Sequence, residues 1–305
     1  MKKLVSCKSL LVLLVLVFAV SFVFAACGQK AETPAPAAEE KKEEPKQEAA
    51  KLEGTIAVVG STSVAPLAQD LADEFNKIEA GIKIDIQAVG SSAGVKAASD
   101  GSGDIGMSSR ELKEEEKGWG LTEHIIAFDG IAVSVHPSNT VADLTTEQVT
   151  KIFKGEITNW KDVGGPDKEI LVVSREEGSG TRGAFEELLK LDKKEKKDGK
   201  EVTVSLVKAD ALIAEGNGGV KANIASKENA IGYLSLGYLD NTVKAVKISG
   251  VEATVENIKS KKYAIMRPFL MLTKGDMKPE VKAYLDFILG DKGQEFVSQH
   301  YITVK

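Results

Sequence analysis

The sequence predicts an α/β fold of mostly parallel sheets, arranged in two lobes. Three observations predict it. The chain has 305 residues, 43% of them hydrophobic, which supplies two hydrophobic cores more naturally than one. Short β-rich runs alternate with helix-like runs, the pattern of layered α/β folds. Three times, a strand-like run meets a Gly-Ser segment that opens a helix-like run: GSTSV at 60–64, GSSAG at 90–94 and GSGTR at 178–182.

In chain order, Lys2, Lys3 and Lys8 precede an apolar run from Leu10 to Phe24 that ends in FAAC at 24–27. A basic start, a short apolar stretch and small residues before a cysteine read as an export signal over 1–26. The apolar run is shorter than the ~18 residues a membrane span needs. Cleavage makes Cys27 the lipidated N-terminus of an extracytoplasmic chain anchored to the cell membrane. Phe24 stands where such sites usually carry an aliphatic residue. Residues 27–53, rich in Pro, Ala and mixed charge, have almost nothing to bury and read as a flexible tether. Cys7 leaves with the signal, so no thiol remains for a disulfide or for cysteine catalysis. His124, His136 and His300 share no metal-ligand spacing; neither metal nor cofactor is expected.

After the tether, TIAVVG (55–60) predicts a strand, and the run that follows predicts a helix with Val64, Leu67, Leu71, Phe75 and Ile78 on one face. IKIDIQAVG (82–90) leads into AGVKAAS, and EILVVS (169–174) leads through the third Gly-Ser segment into GAFEELLKL. LDKKEKKDGKE (191–201) reads as a solvated loop, and Trp119 and Trp160 as packing residues.

The three helix starts carry the chemistry. A first helical turn leaves unpaired N–H groups and a partial positive charge; glycine admits an anion to the backbone, and Ser or Thr adds a hydroxyl donor. One such start is an ordinary cap; three, with Arg175 and Arg182 beside the third, form an anion cage. The net charge of −5 supplies no basic excess for nucleic acid, so any anion is held locally.

Two motifs compete with that reading. GSGDIG (101–106) and GSGTRG (178–183) fit G-x-G-x-x-G, but only the second lies between strand and helix, and an exported chain has little access to nicotinamide cofactors. GSSAG fits G-x-S-x-G and puts Ser92 at the nucleophile position of a serine hydrolase. Such an enzyme needs a late histidine, for which only His300 is available, and no HGGG-type oxyanion loop is present. A binding protein, not an enzyme, is expected.

GSTSVAPL, AVGSSAGVKAA, DIGMSSREL, IFKGEITNWKDVGGPD, VVSREEGSGTR and AIGYLSLGYL together resemble the phosphate-binding lipoproteins of bacterial phosphate ABC transporters, the PstS type, over residues 54–305. The resemblance implies the two-lobed type II periplasmic-binding-protein fold with the ligand in the cleft. Lobe one would comprise 54–130 plus 265–305 and lobe two 131–264, with crossings near Phe128 to Ser134 and Tyr263 to Pro268. It implies inorganic phosphate held by Thr62, Ser63 and Ser91, and by Arg175, Ser179, Gly180 and Thr181. It also implies delivery to a membrane-embedded permease with its ATPase. Many members carry Gly-Ala-Ser-Asp where this chain has GMSS, so Ser109 replaces a ligand-contacting carboxylate, and sulfate and molybdate stay open as ligands. Asp129, flanked by apolar residues in AFDGIAV, is the expected acceptor for the phosphate proton; Ser109 and Asp104 are the alternatives. Arg182 is expected on the exposed side of its helix.

Overall fold

Alternate residues of β1 (Gly54–Gly60) turn inward, burying Ile56 and Val58, as expected where one face of a strand packs on a helix. The computed structural model describes residues 51–197 and 199–305; the export signal, Cys27 and nearly all of the tether lie outside them. Helix α1 (Ala65–Asn76) has proline in its first turn and covers β1 with Leu67, Ala68, Leu71, Ala72 and Phe75. Ile78, expected on that face, is 53% exposed because the helix ends at Asn76, before the next inward position. The chain continues through β2 (Ile82–Ala88), α2 (Ser91–Asp100), β3 (Ile105–Ser108), α3 (Glu114–Lys117) and the long β4 (Leu121–Val135).

The middle of the chain contributes β5 (Asp143–Leu144), α4 (Thr146–Lys154), β6 (Leu171–Arg175), α5 (Gly180–Leu188), β7 (Asp192–Lys197), β8 (Lys200–Ser205), β9 (Leu212–Ala214), α6 (Gly216–Ser226) and β10 (Ala230–Ser235). Next come β11 (Lys244–Ala245), β12 (Lys247–Ile248), α7 (Val255–Lys259), β13 (Met266–Lys274), α8 (Pro279–Leu289) and α9 (Asp291–His300). The 191–201 run, expected as a loop, is mostly hairpin: Lys194 pairs with Thr203 and Glu195 with Val202 across β7 and β8. Cross-strand ion pairing of Lys194 with Glu201 and the half-buried Val202 and Val204 offset the repulsion among its lysines.

The main sheet runs β2-β1-β3-β13-β4-β10-β6-β9, with β11 also on β4. Pairing is parallel at both ends of this order, β1 with β2 and β3, and β6 with β10 and β9. It is antiparallel through the middle, where β13 and β4 lie side by side. The sheet is therefore mixed, not mostly parallel, because β13 returns alongside the strand by which the chain left. Strand β4 pairs with β13 over Leu121 to Gly130 and with β10 over Ile131 to Val135. Buried apolar side chains gather in two main bodies. One draws on residues from Ile56 to Ala127 and from Phe269 to Tyr301, the other on residues from Ile131 to Ile265. In the second, Phe185 stacks on Tyr233 at 4.0 Å with Phe153 edge-on; such pairs add about 0.5–1.5 kcal/mol beyond burial.

Candidate anion-binding site

Each expected loop is set by glycine geometry, and the third also by a side-chain cap. Gly60 has φ +140, and a Cβ there would lie 2.9 Å from the Gly94 Cα. Beyond it, the Ser61 hydroxyl accepts the N–H groups of Ser63 and Val64 at 3.2 and 3.3 Å, starting α1. Gly90, at φ +101, precedes Ser91 at the start of α2. On β6, Arg175 ends the strand, Gly178 turns with φ +85, and the Ser179 hydroxyl caps α5 by accepting the Arg182 N–H at 3.2 Å.

These loops converge. The Ser63 and Thr181 hydroxyls lie 2.8 Å apart, and those of Ser91 and Ser109 3.3 Å apart. Arg175 donates to Thr62 at 3.1 Å and to Thr181 at 3.3 Å, and the Ser92 amide donates to the Gly178 carbonyl at 3.1 Å. A Cβ at Gly180 would collide with the Ser91 hydroxyl and come within 2.7 Å of that of Ser109, so glycine is what lets α5 approach α2. Thr62, Ser63, Arg175 and Thr181 thus form one hydrogen-bonded set and Ser91 and Ser109 a second, Gly180 lies against the second, and Ser179 spends its hydroxyl on the cap.

The buried charges come in pairs. Arg175, 1% exposed, is gripped by Glu176 through Nε and Nη2 at 2.8 and 2.7 Å. Burial pushes the Glu176 carboxyl up, but the Arg175 hydrogen bond and charge outweigh it and hold it below the usual range. Asp129 reaches the hydroxyls only through Arg267. Its Oδ2 accepts Nε and Nη2 of Arg267 at 3.2 and 2.9 Å, and Oδ1 makes no hydrogen bond of normal geometry. Burial pushes this carboxyl up while the guanidinium pulls the other way.

Arg267 is a residue the sequence reading missed. It donates to Ser63 Oγ at 3.1 Å and to the Ser109 carbonyl and hydroxyl at 3.2 and 3.3 Å. The available signal was a lone arginine in the apolar run IMRPFLML facing the lone aspartate of AFDGIAV, since opposite charges in two buried strands need each other. Asn217 was missed too. It donates to Ser63 at 2.8 Å and to Thr62 at 3.4 Å, from a fourth glycine-bearing junction, IAEGNGG, between β9 and α6. Tyr238 donates its hydroxyl to the Thr62 carbonyl at 2.9 Å.

Arg182 is half-buried rather than exposed. It bonds the Arg175 carbonyl at 3.1 Å and Glu186 at 2.7 Å, because α5 packs back on β6 and turns this face toward the strand end. Asp104 stands apart from the cage, accepting the Ala57 amide and pairing with Lys278. The Ser92 hydroxyl accepts from Arg110 at 3.1 Å, and Arg110 is held by both oxygens of Glu116 at 2.7 and 2.8 Å. Among the described residues no histidine hydrogen-bonds Ser92: His124 meets Thr273 and His136 meets Ser138.

The family model described as a PBP superfamily domain matches residues 45–292. A Bacillus subtilis protein named phosphate-binding protein PstS is 33% identical over 302 residues, covering 97% of this chain and 95% of that protein. Among solved structures, a phosphate ABC transporter substrate-binding protein with bound phosphate from Clostridium perfringens is 44% identical, with a TM-score of 0.77, covering 83% of this chain and 100% of that one. An ABC-type phosphate transport receptor from Vibrio cholerae is 38% identical, with a TM-score of 0.67, covering 81% and 99%. With one family model matching residues 45–292 and a relative aligned over nearly all of the chain, the chain belongs to the PBP superfamily, among the PstS-type phosphate-binding proteins, with the type II periplasmic-binding-protein fold.

Proposed function

We propose that this chain is an extracytoplasmic solute-binding protein that captures inorganic phosphate and delivers it to an ABC permease with its ATPase. The observation that carries the reading is the convergence of hydroxyls and a buried guanidinium from residues 62–63, 91, 109 and 175–181 on one spot. The relatives named above are transport proteins, and Ser92, bonded to a guanidinium rather than to a base, lacks the activation a nucleophile needs. The mechanism is closure. Residues 54–130 plus 265–305 form one lobe and 131–264 the other, and an anion held from both sides favours the shut state that the permease recognises.

Thr62, Ser63, Ser91 and Ser109 hold the anion from one side; Arg175, Ser179, Gly180 and Thr181 hold it from the other through donors and the α5 start. Asp129 holds Arg267, and its carboxylate is the acceptor assigned to the proton that phosphate retains near neutrality. Micromolar affinity requires about 8 kcal/mol. Several charge-assisted hydrogen bonds of about 1.5–3 kcal/mol each, less the ordering costs, reach it. Lipidated Cys27 tethers the domain to the membrane. Calorimetry with phosphate, sulfate and molybdate tests the reading: phosphate is expected to bind tightest, and tighter binding of either other anion sinks it.

A further inference from the structure

The hydroxyls of the cage obey a closed proton ledger. A hydroxyl has two acceptor positions and one proton, so when two donors fill the acceptor positions its proton must point elsewhere. Ser61 Oγ accepts the Ser63 and Val64 amides and so donates to Ser109 Oγ at 2.9 Å. Ser109 Oγ also takes Arg267 Nη1 at 3.3 Å, which leaves it only to donate. Ser63 Oγ is filled by Arg267 Nη2 at 3.1 Å and Asn217 Nδ2 at 2.8 Å, so its proton turns to Thr181. Thr181 Oγ1 then holds that proton and Arg175 Nη1, and Thr62 Oγ1 holds Arg175 Nη2 and Asn217 Nδ2. Ser91 Oγ accepts the Ser109 amide at 3.1 Å and the Ser109 hydroxyl. The Asn217 amide cannot flip to relieve this, because its Oδ1 accepts the Ser235 N–H at 3.1 Å.

We propose that Arg267 and Asn217 wire this cage so that Ser63 and Ser109 spend their protons on Thr181 and Ser91 and only the protons of Thr62, Ser91 and Thr181 face the anion, and that the cage thereby selects an oxyanion by its unprotonated oxygens and takes the dianion of phosphate over the monoanion. The inference rests on the cage being the phosphate site. Each additional P–OH would set a donor against a donor and leave a buried proton unpaired.

The charged groups facing the cage are Arg175 with Glu176 from β6 and its turn, Asp129 from β4 and Arg267 from β13. Arg110 with Glu116 lies one step out beside Ser92, Glu177 and Glu215 are exposed at the neighbouring turns, and Tyr238 is pushed up by burial. None is a histidine; the Asp129 carboxyl is pushed up by burial, and Asn217→Ala, which leaves the Asp129–Arg267 pair in place, separates its titration from the second ionisation of the ligand.

The test is phosphate calorimetry on the full chain between about pH 6 and about pH 8, spanning that ionisation. The wild type should gain about fivefold in affinity across the range. Asn217→Ala removes wiring without removing charge, and Arg267→Lys keeps the charge without the two-pronged fork; both should flatten the slope. Wild-type slopes in both variants, with native melts, overturn the proposal, as does a flat wild-type profile. Should Asn217→Ala misfold, Arg267→Lys decides alone: restoring the full slope means that charge rather than wiring sets the preference. Failure of the wild type to bind phosphate at any pH overturns the site reading itself.

Discussion

Arg175 is buried against Glu176 and donates to two of the cage hydroxyls, so its truncation removes a charge and two donors at once. Arg175→Ala is expected to weaken phosphate binding by about 2–5 kcal/mol, the range for truncating one partner of a buried charged contact. Calorimetry on the folded variant checks it, and unchanged affinity takes Arg175 out of the site. Asp129 tests the other pole of recognition. Asp129→Asn keeps the shape but puts a donor where a carboxylate stood, and sulfate, which carries no proton, should gain against phosphate. If both anions instead weaken together, Asp129 acts only by holding Arg267, and the acceptor for the phosphate proton lies elsewhere.

At the scale of elements, the site is a meeting of helix starts. The first turn of α5 abuts that of α2 with only the hydrogen of Gly180 between them, and the Ser92 amide bonds the Gly178 carbonyl across the same seam. Alanine suits a helix better than glycine by about 1 kcal/mol, so Gly180→Ala should leave the unliganded melt nearly unchanged. Its methyl, however, meets short serine side chains that cannot swing away. Phosphate affinity should therefore fall about tenfold or more, a cost of ~1.4 kcal/mol. Wild-type affinity in this variant would mean that the two helix starts need not approach for the anion to be held.

Across the whole molecule, the route of β4 and β13 decides which loops can meet. β4 trades its β13 partner for β10 at Ile131, the Tyr263 hydroxyl donates to the Ile131 carbonyl at 2.9 Å, and the Ile131 amide donates to Ile265. Asp129 and Arg267 sit at this passage, so the buried ion pair links the strands that cross between the two hydrophobic bodies to the hydroxyls of the cage. Attachment to the membrane is a separate matter. Among the described residues no helix is long and apolar enough to cross a membrane, and the proposed anchor is lipid on Cys27. Cys27→Ala should abolish acyl labelling and release the chain from the membrane fraction; labelling that persists sinks the anchor.

Local chemistry was legible in the sequence. Helix caps, turn glycines and inward faces depend on neighbours a few positions away, and so the three Gly-Ser junctions, β1, α1 and the binding-protein fold could be read from residues 54–305. The ends of elements were less so: Ile78 falls outside α1, and the lysine-rich run pairs into a hairpin, because packing and cross-strand partners override composition. Pairings over long separations were not legible. Arg267 meets Asp129 across 138 positions, and Asn217 meets Ser63 across 154. Sequence determined which residues could donate or accept at the site. Tertiary structure alone decided which of them must donate, because the direction of a hydroxyl proton is set by the two donors that already point at its oxygen.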